Sequence, residues 1–455
     1  MPSKVPAGPF AIRKTAEGAE FPYYILPFDK DGVCEAPETR RHLLEHVADR
    51  SDIYVFCHGW NNDWKAATGR YAEFIDELVA QRKRLGPPTP PDYRPLLVGL
   101  FWPSQALEWF ESETGPAMAG AVGDTAAETA LSEEIADALP EERRARFREL
   151  IGANALDEAQ SRELADLLAS AASPGDDEGV PRGALSAEDL LAAASALQTP
   201  PPPDFDEIGS AIPGGTIPGG TPPGEAANSG ETPAAAGIGD ALNWLDPRHL
   251  IKPFTVWTMK DRAGVVGGRG VRALLDALLR GSRARIHLLG HSFGCKVVMT
   301  ATASLPEPMP RKIHSAVLLQ PAVSQYAFAP KVPETGLPGG FYKTLARIER
   351  PVVATFSAHD LALNKAFHLA LRRAHDLGEQ PLAAGESPSP YAALGGFGPR
   401  ASNETIVFIH NPGEAYDFGS GGRVVGIRGT RTIGGHGDIN NASTWWLASN
   451  AALGT

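Results

Sequence analysis

The chain has 455 residues, of which 43% are hydrophobic and 21% charged, proportions ordinary for a globular protein with a large core. Its formal net charge of −12 argues against nucleic acid or an anionic membrane surface as the main partner. No stretch approaches the roughly 20 apolar residues that span a bilayer, and the first residues lack the apolar core of a secretory signal, so we expect a cytoplasmic protein.

The first half of the chain alternates between strand and helix. Residues 21–28 predict a strand and residues 38–49 a helix. Residues 53–57 form a continuous β-prone apolar run, typical of a strand buried on both faces. After a loop over residues 58–63, a helical stripe repeats over Tyr71, Phe74, Ile75, Leu78 and Val79. Residues 96–102 predict another buried strand.

The same alternation resumes near residue 270. Strands are predicted at residues 285–289, 315–319, 351–356, 406–409 and 423–427, and helices at residues 271–279, 295–299, 361–377 and 442–453. Strands that alternate with helices indicate βαβ units. We therefore predict an α/β fold with a mostly parallel central sheet and helices on both faces.

The stretch between these halves breaks the alternation. Residues 104–198 contain apolar residues at helical spacing, and residues 186–189 have the form of a capping box. Residues 199–239 are rich in proline and glycine, with four successive prolines from Pro200 to Pro203, and are predicted to be disordered. The sequence thus predicts one core, residues 1–103 and 240–455, with a helical insertion and a disordered linker after its fourth strand.

The three cysteines, Cys34, Cys57 and Cys295, are an odd number, and two of them lie in apolar runs. We expect small buried thiols, without disulfides and without a metal site.

A serine at a sharp turn is the most informative motif. Ser292 lies in Gly290-His291-Ser292-Phe293-Gly294, directly after a predicted strand and directly before a predicted helix. This is the G-x-S-x-G pattern, whose glycines let the backbone form a strained turn that exposes the serine hydroxyl. The pentapeptide alone is weak because glycine is frequent here, with 48 residues. Its context favours Ser292 as a nucleophile.

Such a serine needs a base and a group that orients the base. Asp360 is the candidate acid because it follows the predicted strand at residues 351–356, and catalytic groups gather where parallel strands end. Glu414 and Asp417 are the alternatives. Asp360 could instead only cap the following helix.

His436 is the candidate base. It lies in Gly434-Gly435-His436-Gly437-Asp438, a glycine-rich loop between the last predicted strand and the last predicted helix. His410, which follows the strand at residues 406–409, is the main competitor. Asp438 is predicted to cap the final helix and not to take part in catalysis.

Donors for a developing oxyanion are expected from two backbone N–H groups, those of Trp60 and Phe293. Aromatic side chains cluster near this position and suit an apolar pocket, although core packing explains most of them equally well. Candidate substrate-binding residues are His58, Trp102 and His291.

On the loop at residues 58–62, the Gly290–Gly294 motif, Asp360 and His436, the chain resembles α/β-hydrolases of the esterase/lipase type. The resemblance implies an α/β-hydrolase fold, a Ser292–His436–Asp360 triad, an acyl-enzyme on Ser292, a small-molecule or lipid ester as substrate, and no cofactor. Two alternatives stay open: acyl transfer or amide hydrolysis by the same triad, and a catalytically silent interaction protein.

Overall fold

The computed structural model describes residues 5–85, 92–104, 125–172, 185–198, 246–333, 335–367, 392–419 and 421–454. Within them the strands form one sheet of nine, ordered β1-β2-β4-β3-β5-β6-β7-β9-β8. The strands are β1 (Ala11–Lys14), β2 (Glu20–Pro27), β3 (Asp52–Cys57), β4 (Pro95–Phe101), β5 (Arg285–His291), β6 (Ser315–Leu319), β7 (Val352–Phe356), β8 (Thr405–Phe408) and β9 (Val424–Arg428). Every neighbouring pair is parallel except β1 and β2, so the predicted mostly parallel α/β sheet is confirmed.

Helices connect these strands. They are α1 (Pro37–Glu45), α2 (Trp64–Leu85), α3 (Thr125–Ala138), α4 (Glu141–Ile151), α5 (Glu158–Ala171), α6 (Ala187–Gln198), α7 (Arg248–Val266), α8 (Arg272–Gly281), α9 (Phe293–Ala303), α10 (Thr344–Arg347), α11 (Leu394–Phe397) and α12 (Ala442–Leu453). The described residues also include two π-helical turns, Gly267–Val271 and Ala362–Phe367.

Strand β3 shows why the sheet is covered on both faces. Tyr54 and Phe56 belong to the hydrophobic cluster that includes α2 and α12, whereas Val55 and Cys57 belong to the cluster that includes α7, α8 and α9. All six residues of β3 are buried. Because neither face of β3 contacts solvent, its residues do not alternate between apolar and polar, which explains the continuous apolar run at residues 53–57.

The chain changes direction across the sheet at β3. It passes from β3 to β4 on one side and then to β5 on the other, with Cys57 of β3 paired in register with Gly290 of β5. In open α/β sheets such a reversal leaves a crevice at the carboxyl ends of the two strands. The loop after β3 and the turn after β5 both lie there.

Helices α3 to α6 form the described part of the predicted insertion. Their apolar side chains, including Ile135, Phe147, Leu164 and Leu190, join the same hydrophobic cluster as α7 and α9. Ser186 and Asp189 form the predicted reciprocal cap at the start of α6, in which each side chain accepts the backbone N–H of the other residue. The linker at residues 199–239, predicted to be disordered, lies outside the described residues, as does most of the predicted helix at residues 361–377.

Strand β1 and the helices α7, α10 and α11 were not predicted from the sequence; α10 and α11 have only four residues each. Strand β1 is a four-residue edge strand with only partly buried and exposed side chains, so it carries little apolar signal. Helix α7 contains Pro253, a residue that argues against a helix interior. Its apolar positions Leu250, Ile251, Phe254 and Trp257 nevertheless have helical spacing and are buried.

Candidate active site

Ser292 occupies the turn between β5 and α9. Its backbone angles are φ 54° and ψ −125°, a region that costs a non-glycine residue energy and persists only where neighbours hold it. Its N–H donates a hydrogen bond to the Leu319 carbonyl, 3.1 Å away. A Cβ at Gly294 would lie 2.3 Å from the Cys57 carbonyl oxygen, so glycine allows the first turn of α9 to approach β3.

Three candidate residues meet at this turn. His436 Nε2 is 2.7 Å from Ser292 Oγ, and His436 Nδ1 is 2.8 Å from Asp360 Oδ2. An ionised carboxylate only accepts, so Nδ1–H donates to Asp360 and Nε2 is left to accept the serine proton. All three side chains are at most 6% exposed. The arrangement can therefore move a proton from serine to histidine while the carboxylate holds the ring.

Asp360 has a double role at the turn after β7. Its Oδ1 accepts the Leu363 N–H at 3.0 Å, which is the helix-capping role considered from the sequence. Its Oδ2 accepts from both His436 Nδ1 and Gln320 Nε2, each at 2.8 Å. One carboxylate thus caps the turn and contacts the histidine.

Gln320 is a site residue that the sequence reasoning missed. It follows β6 at once, in a left-handed conformation with φ 45°, and is fully buried. The Thr355 hydroxyl donates to Gln320 Oε1 at 3.1 Å, so the amide nitrogen faces Asp360. A polar residue at the carboxyl end of a predicted strand, beside the strand that carries the acid, was the available signal.

The competing candidates lie elsewhere. His410 stacks on Tyr416 with ring centroids 4.2 Å apart, and its Nδ1 is 3.0 Å from the Ala415 carbonyl. Glu414 accepts hydrogen bonds from Asn411, and Asp417 Oδ1 accepts one from the Gly419 N–H. None of the three candidates contacts Ser292 or His436 through these bonds.

The prediction that Asp438 caps the last helix is wrong. Asn441 is the N-cap of α12, and its side chain accepts hydrogen bonds from Ser443 and Thr444. Asp438 instead accepts the Gly434 N–H at 2.9 Å and closes the loop that carries His436. The cap lies three residues later because Asn441 and Thr444 form a reciprocal pair.

His58 and Trp102 hold the loop after β3. His58 Nδ1–H donates to the Gly59 carbonyl at 2.8 Å, and Nε2 accepts the Trp102 N–H at 3.2 Å. The Trp102 indole N–H donates back to the His58 carbonyl at 3.0 Å. Both side chains are fully buried, and burial lowers the pKa of His58 to about 3, which keeps it neutral. Their polar atoms are engaged by protein groups.

The neighbouring peptide groups are fixed by Asn62. Its amide N–H groups donate to the carbonyls of Gly59, at 3.1 Å, and Trp60, at 2.9 Å. On the opposite side of the loop, a Cβ at Gly59 would lie 2.7 Å from Ser292 Cβ. The Trp60 and Phe293 rings are in contact at a tilt of 59°, with centroids 5.9 Å apart. The loop is thus held directly against the serine turn.

His291 is buried next to the serine. Its Nε2 is 2.8 Å from the His436 carbonyl oxygen and its Nδ1 is 3.2 Å from Arg70 Nη1. The structure therefore places this candidate substrate-binding residue next to His436, in contact with the main chain of that residue.

A second hydrogen-bonded line of serine, histidine and aspartate lies at the amino ends of β3, β5 and β6, whereas Ser292 follows the carboxyl end of β5. His287 Nδ1 is 2.9 Å from Ser315 Oγ, and His287 Nε2 is 2.8 Å from Asp52 Oδ1. Ser315 lies within β6 and not at a turn, and Asp52 also pairs with Arg285 at 2.9 Å. Burial alone would raise the pKa of Asp52, but its hydrogen bonds outweigh burial and lower it to about 2. This hydrogen-bonded line joins three strands, and its serine does not lie at a strained turn.

Within the described ranges, no group of three or more histidine, cysteine, aspartate or glutamate side chains could hold a metal ion. All three cysteines are free thiols. The helices in the part of the chain that the structure describes include none long and apolar enough to cross a membrane. Comparisons with protein-family models, with curated proteins and with solved structures found no match.

Proposed function

We propose that the protein is a serine hydrolase of the α/β-hydrolase superfamily that cleaves carboxylic esters through an acyl-enzyme on Ser292. The observation that carries the proposal is the continuous hydrogen-bonded line from Ser292 Oγ through His436 to Asp360, with the serine on a strained turn. The chain order of serine, acid and histidine is the one that α/β-hydrolases use.

In the proposed reaction, Ser292 Oγ attacks the ester carbonyl while His436 Nε2 takes its proton. Asp360 keeps the proton on Nδ1 and stabilises the imidazolium that forms. His436 then protonates the departing alkoxide, which leaves as the alcohol. A water molecule, deprotonated by His436, finally attacks the acyl carbonyl, and the imidazolium returns the proton to Ser292 Oγ as the acid leaves.

The oxyanion of the tetrahedral intermediate would accept hydrogen bonds from the backbone N–H groups of Trp60 and Phe293. In a trans peptide the carbonyl and the next N–H point in opposite directions. His58 and Asn62 draw the Gly59 carbonyl to one side of the loop, so the Trp60 N–H is turned to the other. The Phe293 N–H belongs to the first residue of α9, where the helix dipole favours negative charge.

The matching experiment is covalent labelling with a fluorophosphonate, which reacts with activated serines. Wild type should be labelled and should hydrolyse p-nitrophenyl esters, whereas Ser292→Ala should do neither. His436→Ala should lose labelling, and the matched variant His410→Ala should keep it because His410 lies away from the triad. A wild-type protein that is not labelled would refute the serine-hydrolase proposal.

Turnover assays of the unlabelled wild type distinguish ester hydrolysis from the two alternatives, amide hydrolysis and acyl transfer. Turnover of a p-nitrophenyl ester that greatly exceeds that of the matching anilide supports an esterase over an amidase. Transfer of the acyl group to an added alcohol in preference to water would instead indicate an acyltransferase.

A further inference from the structure

His291 is held between a cation and the loop that carries the catalytic histidine. An arginine guanidinium has only donors, so His291 Nδ1, 3.2 Å from Arg70 Nη1, must accept. The remaining proton of the neutral ring is then on Nε2, which donates to the His436 carbonyl at 2.8 Å. The two contacts together select one tautomer of a buried histidine.

The surroundings of His291 exclude its charged form. Burial first, and next the charge of Arg70, hold the pKa of His291 well below its ordinary range. The ionisable groups that face the ring are Arg70 of α2, His436 of the loop after β9 and His58 of the loop after β3. A proton added at Nδ1 would meet the guanidinium and remove the contact with Arg70.

The loop of His436 contains Gly434, Gly435 and Gly437. Its other hydrogen bonds join Gly434 to Asp438, Asp438 to Gly435, Ile439 to Gly437 and Asn441 to Asp438, and none of these bonds involves His436. In the described part of the chain, the hydrogen bond to the His436 main chain comes from His291. The two imidazole rings lie 5.1 Å apart.

His291 is also the residue before Ser292 in the chain. A single side chain therefore connects the backbone of the nucleophile to the backbone of the base. Arg70 contributes from α2, which begins at Trp64 directly after the loop that approaches the serine. Ser292 Oγ and His436 Nε2, on the two backbones that His291 connects, are 2.7 Å apart.

We infer that His291, held in its neutral Nε2–H tautomer by Arg70, is a positioning residue that keeps the His436 loop in register with Ser292. The inference rests on the proposed function for its kinetic consequence, but the tautomer is a property of the protein alone. A misplacement of about 1 Å in such a site costs about 100-fold in rate.

The kinetic test compares His291→Gln, His291→Leu and Arg70→Met with wild type. Glutamine carries both an acceptor for Arg70 and a donor for the His436 carbonyl, whereas leucine carries neither. We expect His291→Leu to lose about 100-fold in kcat and in fluorophosphonate labelling rate, with little change in KM. His291→Gln should recover most of the loss, and Arg70→Met should fall between them.

The structural test is the ¹⁵N NMR spectrum of histidine-labelled protein, assigned by the signal lost in His291→Gln. At neutral pH the His291 signals should be those of the Nε2–H tautomer and should stay unchanged at mildly acidic pH. His46→Gln is the matched control because His46, at the end of α1, bonds to the His42 carbonyl at 2.7 Å and stacks on the His42 ring, away from Ser292 and His436. It should alter neither kcat nor the His291 signals.

The outcomes separate the two claims. A wild type that takes no label defeats the proposed function, and the NMR spectrum still tests the tautomer. A labelled wild type with His291 as the Nδ1–H tautomer or the imidazolium overturns the positioning role. So does a folded His291→Leu, or a folded Arg70→Met, that reacts at the wild-type rate.

Discussion

Replacing Gly59 with alanine places a methyl group between the loop after β3 and the serine turn. The new Cβ would lie 2.6 Å from His291 Nδ1 and 2.7 Å from Ser292 Cβ, about 0.7 Å short of ordinary van der Waals contact. Neither neighbour can easily retreat, since Ser292 is held by Leu319 and His291 by Arg70 and His436. The loop and the serine must therefore move apart.

Overpacking of this kind costs roughly 1–3 kcal/mol of stability. Displacement of Ser292 by several tenths of an ångström from Trp60 and His436 should cost about 10-fold or more in kcat/KM, since a misplacement of about 1 Å costs about 100-fold. The assays are hydrolysis of a p-nitrophenyl ester and thermal unfolding. Gly69→Ala is the matched control, because a Cβ at this position in α2 meets nothing within 4 Å. It should keep full activity and gain roughly 0.5–1 kcal/mol of stability. Wild-type activity and stability in Gly59→Ala would refute the close contact.

Three further outcomes follow from buried polar contacts. Gln320→Ala removes a donor to Asp360 worth roughly 1.5–3 kcal/mol, so kcat/KM should fall about 10- to 100-fold, and an unchanged value would exclude the contact. Asp52→Ala should destabilise by about 3 kcal/mol in urea titration without changing kcat/KM, because His287 loses its acceptor; a fall in kcat/KM would link that cluster to catalysis. The folded-state pKa values of His58, about 3, and His287, about 4, lie below the ordinary value, so the unfolded chain binds these protons first. Stability should therefore fall as the pH drops from about 6.5 to about 4, by up to about 1.4 kcal/mol per pH unit for each group, and a flat profile would contradict their neutral burial.

The parts of the fold that could be predicted are those with a strong local pattern. The apolar run of β3 and the stripe of α2 each follow from one periodicity, and both elements are where the sequence placed them. The candidate residues Ser292, Asp360 and His436 could be chosen because each follows a predicted strand. The structure brings these three side chains into one hydrogen-bonded line.

Contacts that depend on three-dimensional packing could not be predicted. Gln320 and Arg70 reach the site from a strand end and a helix that no local pattern connects to Asp360 or His291. His291 looked like a pocket residue because it adjoins the serine, yet its ring turns towards the His436 main chain. Side-chain direction at a strained turn follows from tertiary contacts and not from sequence spacing.

The two serine–histidine–aspartate lines show what separates a candidate site from a structural network. Their hydrogen-bond lengths are alike, near 2.8 Å in both. Ser315 lies inside a strand, whereas Ser292 projects from a turn with φ 54° beside a helix N-terminus. The backbone around the serine, and not the histidine distance, supports Ser292 as the nucleophile.

The most direct test of the central claim is mass spectrometry of the protein quenched during turnover of p-nitrophenyl acetate. An acetyl group should appear on the peptide that contains Ser292, should be absent in Ser292→Ala, and should disappear once the substrate is exhausted. Acetylation at another residue would contradict an acyl-enzyme at this serine. So would turnover by wild type without any acyl adduct, together with full activity in Ser292→Ala.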